Sequence, residues 1–263
     1  MTHQGTALIT GASSGIGAIY ADRLARRGYD LILVARNHDR LNDLAGRISD
    51  DTGRQVEVFI ADLNEGASLA KVEAKLREDA SITLLVNNAG IGTHKQLVDS
   101  DVEQMSRLID LNVNALTRLT YAAVPGFIAR GKGAIINLSS IVSIAPEVLN
   151  GVYGGSKAFV TAFSQSLHHE LGEKGLQIQA VLPGATRTEF WANGGLPVEH
   201  LDPAIVMSPT DLVDAALIDF DNGVLISIPS LHNLDAWQAY EHVRQTLAGQ
   251  LSNNVPAARY PLA

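Results

Sequence analysis

The segment ALITGASSGIG, residues 7–17, decides how the rest of the chain is read. Its first four residues (7–10) have the composition of a buried strand, and residues 16–28 have helical periodicity. Between them Gly11, Gly15 and Gly17 are spaced G-x-x-x-G-x-G, which differs from the general dinucleotide fingerprint G-x-G-x-x-G. The physical demands are the same. Glycine permits a tight turn and lets phosphate approach the backbone, and the first turn of a helix offers unpaired N–H groups to an anion. Ser13, Ser14 and Ile16 share this strand-to-helix turn, so Gly11, Ser13, Ser14, Gly15, Ile16 and Gly17 form a candidate phosphate cradle.

Working outward, further apolar runs at 30–35, 56–61, 82–86, 133–140, 178–183 and 224–228 read as strands. Helical patterns lie between them at 39–51 and 66–79, over a long stretch from 100 to about 131, and over a helix that contains Tyr153 and runs to about Lys174. Ser100 and Glu103 have capping-box spacing at the start of the long helix, and Pro125 lies near its end. The strands are continuously apolar rather than alternating, the pattern of a parallel sheet covered on both faces. Strand–helix alternation with right-handed crossovers predicts an α/β fold. The expectation is a single doubly wound, Rossmann-like domain over residues 1–263, with a seven-stranded, mostly parallel sheet and helices on both faces.

Two segments stand apart. Residues 187–209 contain glycines, prolines, Phe190 and Trp191, and read either as an anchored loop or as a lid over an apolar substrate. Residues 235–251 read as an amphipathic helix followed by a polar tail.

Composition narrows the function. In 263 residues, 46% are hydrophobic, enough for a substantial core. The chain has no cysteine, which excludes disulfides, thiolate catalysis and cysteine metal sites and suits a reducing, cytoplasmic setting. A net charge of −8 argues against nucleic acid as a partner. The start lacks the marks of a signal peptide, and no run approaches the roughly 20 apolar residues of a membrane helix, so no membrane partner is expected. The eight histidines are scattered without HExxH spacing, and no metal is expected. No G-x-S-x-G elbow is present, which argues against a hydrolase.

Two further features carry chemistry. In GVYGGSKAFVTAF, Tyr153 and Lys157 lie four residues apart, one helical turn, and so project from the same face. A free tyrosine titrates at about 10. A nearby ammonium favours the phenolate and is expected to lower that value toward the range useful for acid–base catalysis. The second strand ends LILVARN. The position about 20 residues past the glycines reads the adenine ribose, and a carboxylate there would suit NAD. Here Ala35 is followed by Arg36, so a 2′-phosphate meets no repelling acid and can be bound by a guanidinium. NADP(H) is therefore expected over NAD(H), and Ser13 or Ser14 could add a hydroxyl.

These motifs, together with others in the same order, make the chain resemble a classical short-chain dehydrogenase/reductase over roughly residues 6–188. Asp62–Leu63 resembles the pair whose acid contacts the adenine. Asn87, Asn88, Ala89 and Gly90 resemble the NNAG element. Asn112 in LNVNA matches the asparagine of the family's catalytic tetrad, and Ser140 lies thirteen residues before Tyr153, the spacing of its catalytic serine. Pro183, Gly184, Thr186 and Thr188 fall in a segment resembling the PG-x-x-x-T element that holds the nicotinamide amide. One departure is Gly155, where the family often has alanine or serine.

The resemblance implies hydride transfer between NADP(H) and a small-molecule carbonyl or secondary alcohol. Tyr153 would act as general acid or base, and Lys157 would also bond the nicotinamide ribose. Ser140 would hydrogen-bond the carbonyl oxygen, and Asn112 would hold a water that links Lys157 to solvent. Ser139 is a rival to Ser140, but alternate strand residues face opposite ways and the spacing selects Ser140. A 3-oxoacyl-thioester reductase of fatty-acid type and a non-catalytic NADP-binding redox sensor are the alternatives. The helices of Asn112 and Tyr153 carry Leu116, Leu119, Phe159, Phe163 and Leu167, more apolar residues than one core face needs. The resemblance implies that they form the interface of a homodimer or homotetramer.

Overall fold

The structure, a computed structural model, describes residues 3–260. Seven strands form one sheet: β1 (Thr6–Thr10), β2 (Asp30–Ala35), β3 (Val56–Ile60), β4 (Ile82–Asn87), β5 (Gly133–Leu138), β6 (Leu176–Val181) and β7 (Ile226–Ser227). Their order is β3-β2-β1-β4-β5-β6-β7, and every pairing is parallel. From β1 the chain builds outward to β3, then returns to the other side of β1 and builds outward again to β7. The C-terminal ends of β1 and β4 therefore flank the point where winding reverses, the place at which open α/β sheets bind ligands.

The helices between the strands are α1 (Gly15–Arg26), α2 (His38–Thr52), α3 (Gly66–Glu78), α4 (Val102–Ile109), α5 (Leu116–Arg130), α6 (Gly151–Leu171), α7 (Phe190–Asn193) and α8 (Pro209–Asp221). They cover both faces of the sheet. Leu8 and Ile9 are adjacent in β1 and both wholly buried, yet they belong to different cores. Ile9 belongs to a core with Leu24, Leu33, Leu41 and Val213, while Leu8 belongs to one with Val72, Leu85, Phe127 and Ile178. Burial on both faces is why β1 is buried at every position, whereas the edge strand β3 leaves Glu57 and Ile60 exposed; each buried large apolar side chain contributes about 1.5–3 kcal/mol. Arg23 Nε donates to Asp214 at 2.7 Å and joins α1 to α8 across the rim of the first core.

The long helix expected from residue 100 is interrupted. Its first part, α4, is capped by Asp101, whose carboxylate accepts from the Glu103 and Gln104 amides, and not by Ser100. The Ser100 hydroxyl instead donates to the Gln96 and Leu97 carbonyls, which removes it from the capping role its spacing implied. Between α4 and α5 the turn widens to a π-helix over Asp110–Ala115. Such a segment leaves no mark in apolar periodicity, and it often sits at a functional residue; here it carries Asn112. Strand β5 ends at Leu138, so Ser139 and Ser140 lie beyond the sheet.

One compact unit of the chain extends to Ser230, and a second begins at Leu231. The second contains α9 (Leu234–Ala248), capped by the Asn233 side chain and without a buried residue. Trp237 and Tyr240 stack along it at 5.3 Å. Among the described residues no helix is long and apolar enough to cross a membrane.

Candidate active site

The glycine turn is shaped by backbone needs that other residues would not meet. Gly11 and Gly15 have φ of +65° and +54°, in the left-handed region. A Cβ on Gly17 would stand 2.5 Å from both Asn88 Nδ2 and the Gly11 carbonyl oxygen. Asn88 Nδ2 donates to the Thr10 and Gly11 carbonyls at 2.8 and 3.1 Å, and Thr10 Oγ1 accepts from the Asn88 and Ala89 amides, each at 3.0 Å. The ends of β1 and β4 are thus clasped together, and Asn88 serves the turn with its side chain. Ser14 is the N-cap of α1, but its side chain makes no capping bond to the first-turn amides. Thr188 Cγ2 would lie 3.1 Å from a Cβ on Gly15, which brings the 183–188 segment against the turn. Positive-φ glycines, helix amides without a side-chain cap and space that only a missing Cβ leaves open fit a dinucleotide pyrophosphate.

Arg36 extends from the end of β2 with its side chain 73% exposed, free to meet a ribose phosphate, and its Nη1 lies 3.9 Å from Asp62 Oδ2. Asp62 also accepts from the Asn64 amide. Leu63 is buried among the core residues of the α3–α5 side, so only its backbone can face a ligand. Ser13 and Ile16 are half-buried in the turn.

Tyr153, Ser140 and Lys157 converge beyond the end of β5, and all three are buried. Asn150 caps α6 by accepting from the Val152 and Tyr153 amides, which fixes where the helix starts. Ser140 stands close enough to the phenol to draw its pKa down, and its hydroxyl donates to the Pro183 carbonyl at 3.4 Å and accepts from the Val142 amide at 3.3 Å. The rival Ser139 is turned away: its hydroxyl donates to the Lys157 carbonyl at 2.8 Å and meets Thr161 Oγ1 at 2.7 Å. Gly155 is exposed, with open space where a Cβ would stand, so this departure from the family pattern alters no packing.

The expected lowering of the Tyr153 pKa by Lys157 does not occur. Burial pushes the phenol up to about 12, against the opposing pull of the Ser140 hydrogen bond. Lys157 Nζ donates to the Leu138 carbonyl at 2.8 Å and lies 5.9 Å from the centre of the Tyr153 ring. Burial also pushes Lys157 down to about 8, since an ammonium without a carboxylate partner is costly in a dry site. Desolvation outweighs the neighbouring charge, and spacing along a helix does not report it.

Asn112 is buried and not on an exposed face. Its Oδ1 accepts from the Ile91 amide at 3.0 Å, while Nδ2 donates to the Ile91 carbonyl at 2.9 Å and to Ser156 Oγ at 3.1 Å. Both amide hydrogens are committed, so the side chain clasps the loop after β4 to α6. Ser156, which sequence reasoning overlooked, passes the contact on by donating to the Tyr153 carbonyl. Gly90 leaves room for this meeting, because a Cβ there would sit 3.1 Å from Asn112 Oδ1 and 3.5 Å from Lys157 Nζ. In the 183–188 segment, Thr186 Oγ1 donates to the Gly184 carbonyl, and Thr186 bridges to Met207.

Within residues 187–209, Phe190, Trp191, Gly194 and Leu196 border Tyr153. Phe190 packs on the Tyr153 ring with centroids 5.7 Å apart. Trp191 Nε1 donates to the Thr186 carbonyl, and His94 Nδ1 to the Gly194 carbonyl at 2.8 Å. Arg40 pairs with Glu189 at 2.6 Å. Phe190, Trp191 and Leu196 of this segment therefore border Tyr153, whereas Ile205 is 62% exposed. Of the apolar residues expected at a subunit interface, Leu116, Leu119 and Leu167 are instead buried in this chain's own core, whereas Phe159 is 38% exposed and stacks on Phe163 at 5.5 Å. Among the described residues no group of three or more histidines and carboxylates is arranged to hold a metal.

Residues 5–195 match the short chain dehydrogenase family, and the chain belongs to that family of oxidoreductases. A short-chain dehydrogenase from Sphingobium yanoikuyae in complex with NADPH is 50% identical, with a TM-score of 0.95 over 97% of this chain and 99% of that one. A bulky-bulky ketone specific alcohol dehydrogenase from Comamonas testosteroni is 45% identical, with a TM-score of 0.91 over 99% of this chain and 100% of that one. The very-long-chain 3-oxoacyl-CoA reductase of Anas platyrhynchos is 37% identical over 189 residues, which span 70% of this chain and 60% of that protein's length.

Proposed function

We propose that this chain is an NADPH-dependent carbonyl reductase, acting in reverse as a secondary-alcohol dehydrogenase, on apolar ketones. The observation that carries the reading is the convergence of buried Tyr153, Ser140 and Lys157 beside the glycine cradle. When bound, NADPH supplies hydride to the carbonyl carbon. Gly11, Ser13, Ser14, Gly15, Ile16 and Gly17 hold its pyrophosphate; Arg36 meets the 2′-phosphate. Asp62 and the Leu63 backbone meet the adenine. The Ala89–Gly90 backbone, Pro183, Gly184, Thr186 and Thr188 border the nicotinamide half.

Tyr153 gives its proton to the substrate oxygen. A phenol raised to about 12 is fully protonated at neutral pH, the state a donor needs. Ser140 aims the carbonyl oxygen at that proton. Lys157, brought to about 8, stands within a short range of neutral pH and can pass a proton toward Tyr153 as well as bond the ribose. Asn112 and Ser156 hold α6 in register with the loop after β4.

The preference for NADPH over NADH is supported by exposed Arg36 and by the NADPH complex of the Sphingobium yanoikuyae relative. The preference for apolar ketones is supported by Leu149, Phe190, Trp191 and Leu196 around Tyr153 and by the ketone specificity named for the Comamonas testosteroni relative. The likeness to a 3-oxoacyl-CoA reductase supports a second reading, a long-chain 3-oxoacyl thioester as substrate. The lack of cysteine suits a cytoplasmic setting. Exposed Phe159 on α6 and Tyr121 on α5, the latter 70% exposed, support assembly into a dimer or tetramer.

The test is Tyr153→Phe, assayed by NADPH absorbance with a panel of ketones and acyl thioesters. Turnover should fall at least a hundredfold while NADPH binding persists. Activity within several-fold of wild type would remove Tyr153 from the chemistry.

A further inference from the structure

The space above Tyr153 is already filled. The cavity bounded by Gly92, Leu149, Tyr153, Phe190, Trp191 and Leu196 has a volume of only about 10 Å³, at the lower limit for one water molecule. No ketone fits there. What fills it is the Phe190 ring, tilted 47° against Tyr153 and edge-on to Trp191 at a centroid distance of 6.0 Å. The fourth side is Gly92, where any Cβ would overlap the Phe190 ring. The backbone around Phe190 is tied down by Trp191 Nε1 to the Thr186 carbonyl and by His94 to the Gly194 carbonyl. The ring can therefore leave by turning about its own side-chain bonds while the segment stays in place.

We infer that Phe190 is a displaceable plug, and that the mould it occupies is the subsite for an apolar six-membered ring on the substrate ketone. This rests on the ketone-reductase reading and names the substrate class within it. The walls are largely apolar, with Tyr153 tilted against the ring, Trp191 edge-on to it, and Leu149 and the bare α-carbon of Gly92 completing them; Thr93 and His94 also border the site. A substrate ring that takes the place of the Phe190 ring recovers the aromatic contacts that the plug gives up. An open-chain alkyl group of equal carbon number recovers the burial but not the ring contacts, which favours ring-bearing ketones.

The test compares acetophenone with 2-octanone, both with eight carbons, in wild type and Phe190→Ala. Removing the plug removes the competition for the site. The KM for acetophenone should fall about two- to tenfold, the range of one aromatic pair contact. The KM for 2-octanone should fall by the same factor, because loss of the plug raises the open fraction for any ligand, and should stay above that for acetophenone in both proteins. Toluene should inhibit Phe190→Ala competitively and wild type weakly. A KM that rises for both ketones would make Phe190 a wall of the site and overturn the plug.

A second arm needs no turnover. In Trp237→Phe protein, Trp191 is the remaining tryptophan of the two. Adding Gly92→Ala should expel the Phe190 ring and raise acrylamide quenching of Trp191 at least twofold. Unchanged quenching in a protein with native circular dichroism would overturn the inference. If wild type reduces no ketone, the functional reading fails while this arm still decides whether Phe190 plugs the site.

Discussion

Lys157 gives a prediction whose size and sign follow from its surroundings. Its ammonium is buried with one carbonyl partner, Leu138, and titrates at about 8 instead of the ordinary 10.5. Below pH 8 folded and unfolded chains both carry the proton, so the full cost of burying the charge, about 3 kcal/mol, weighs on the fold. Between pH 8 and 10.5 the unfolded chain still binds that proton and the native state has released it. Stability therefore rises with pH through this window, opposite to the usual lysine that gains a carboxylate partner. Lys157→Met keeps the apolar stem and removes the titration. Urea unfolding of the cofactor-free protein at pH 7, 8, 9 and 10, followed by circular dichroism, gives the comparison. The stability of wild type relative to Lys157→Met should improve by about 2–3 kcal/mol from pH 7 to 10. The lost bond to Leu138 offsets the two curves by a constant and leaves the slope alone. A difference that stays flat within about 0.5 kcal/mol, below the linkage expected here, would refute the claim that this ammonium is desolvated. Tyr153 works against the trend only above its unfolded value of 10, where the native phenol keeps a proton that the unfolded chain loses.

Two other perturbations report on the cofactor cradle. Arg36→Ala should weaken NADPH binding by tenfold or more, the value of a charge-assisted contact, and leave NADH nearly unchanged; fluorescence titration with both nucleotides decides, and equal losses would show that the 2′-phosphate is not read there. Gly17→Ala places a methyl 2.5 Å from Asn88 Nδ2 and the Gly11 carbonyl, so NADPH affinity should drop more than tenfold and the Tm of the free protein should also fall. A variant that binds NADPH normally would mean that the turn can open without harm.

The order of strands and helices was legible in the sequence because strands buried on both faces must be apolar throughout, and amphipathic helices must alternate with them. The glycine turn was legible for a similar reason: positive φ at Gly11 and Gly15, and the missing Cβ at Gly17, restrict those positions to one residue type. Tyr153 and Lys157 could be paired from their four-residue spacing, one helical turn, whereas Ser140 was reached through the family resemblance and not from strand geometry, since β5 ends at Leu138. Tertiary structure decided the rest, because it depends on what lies across space. Pairing of the Asn112 amide with Ile91 and Ser156 required a π-turn that no periodicity reveals. The proton affinities of Tyr153 and Lys157 moved in directions set by burial, a property of the packed surroundings and not of their four-residue separation. The position of Phe190 over Tyr153 likewise depends on a glycine 98 residues earlier in the chain, and only folding brings the two together.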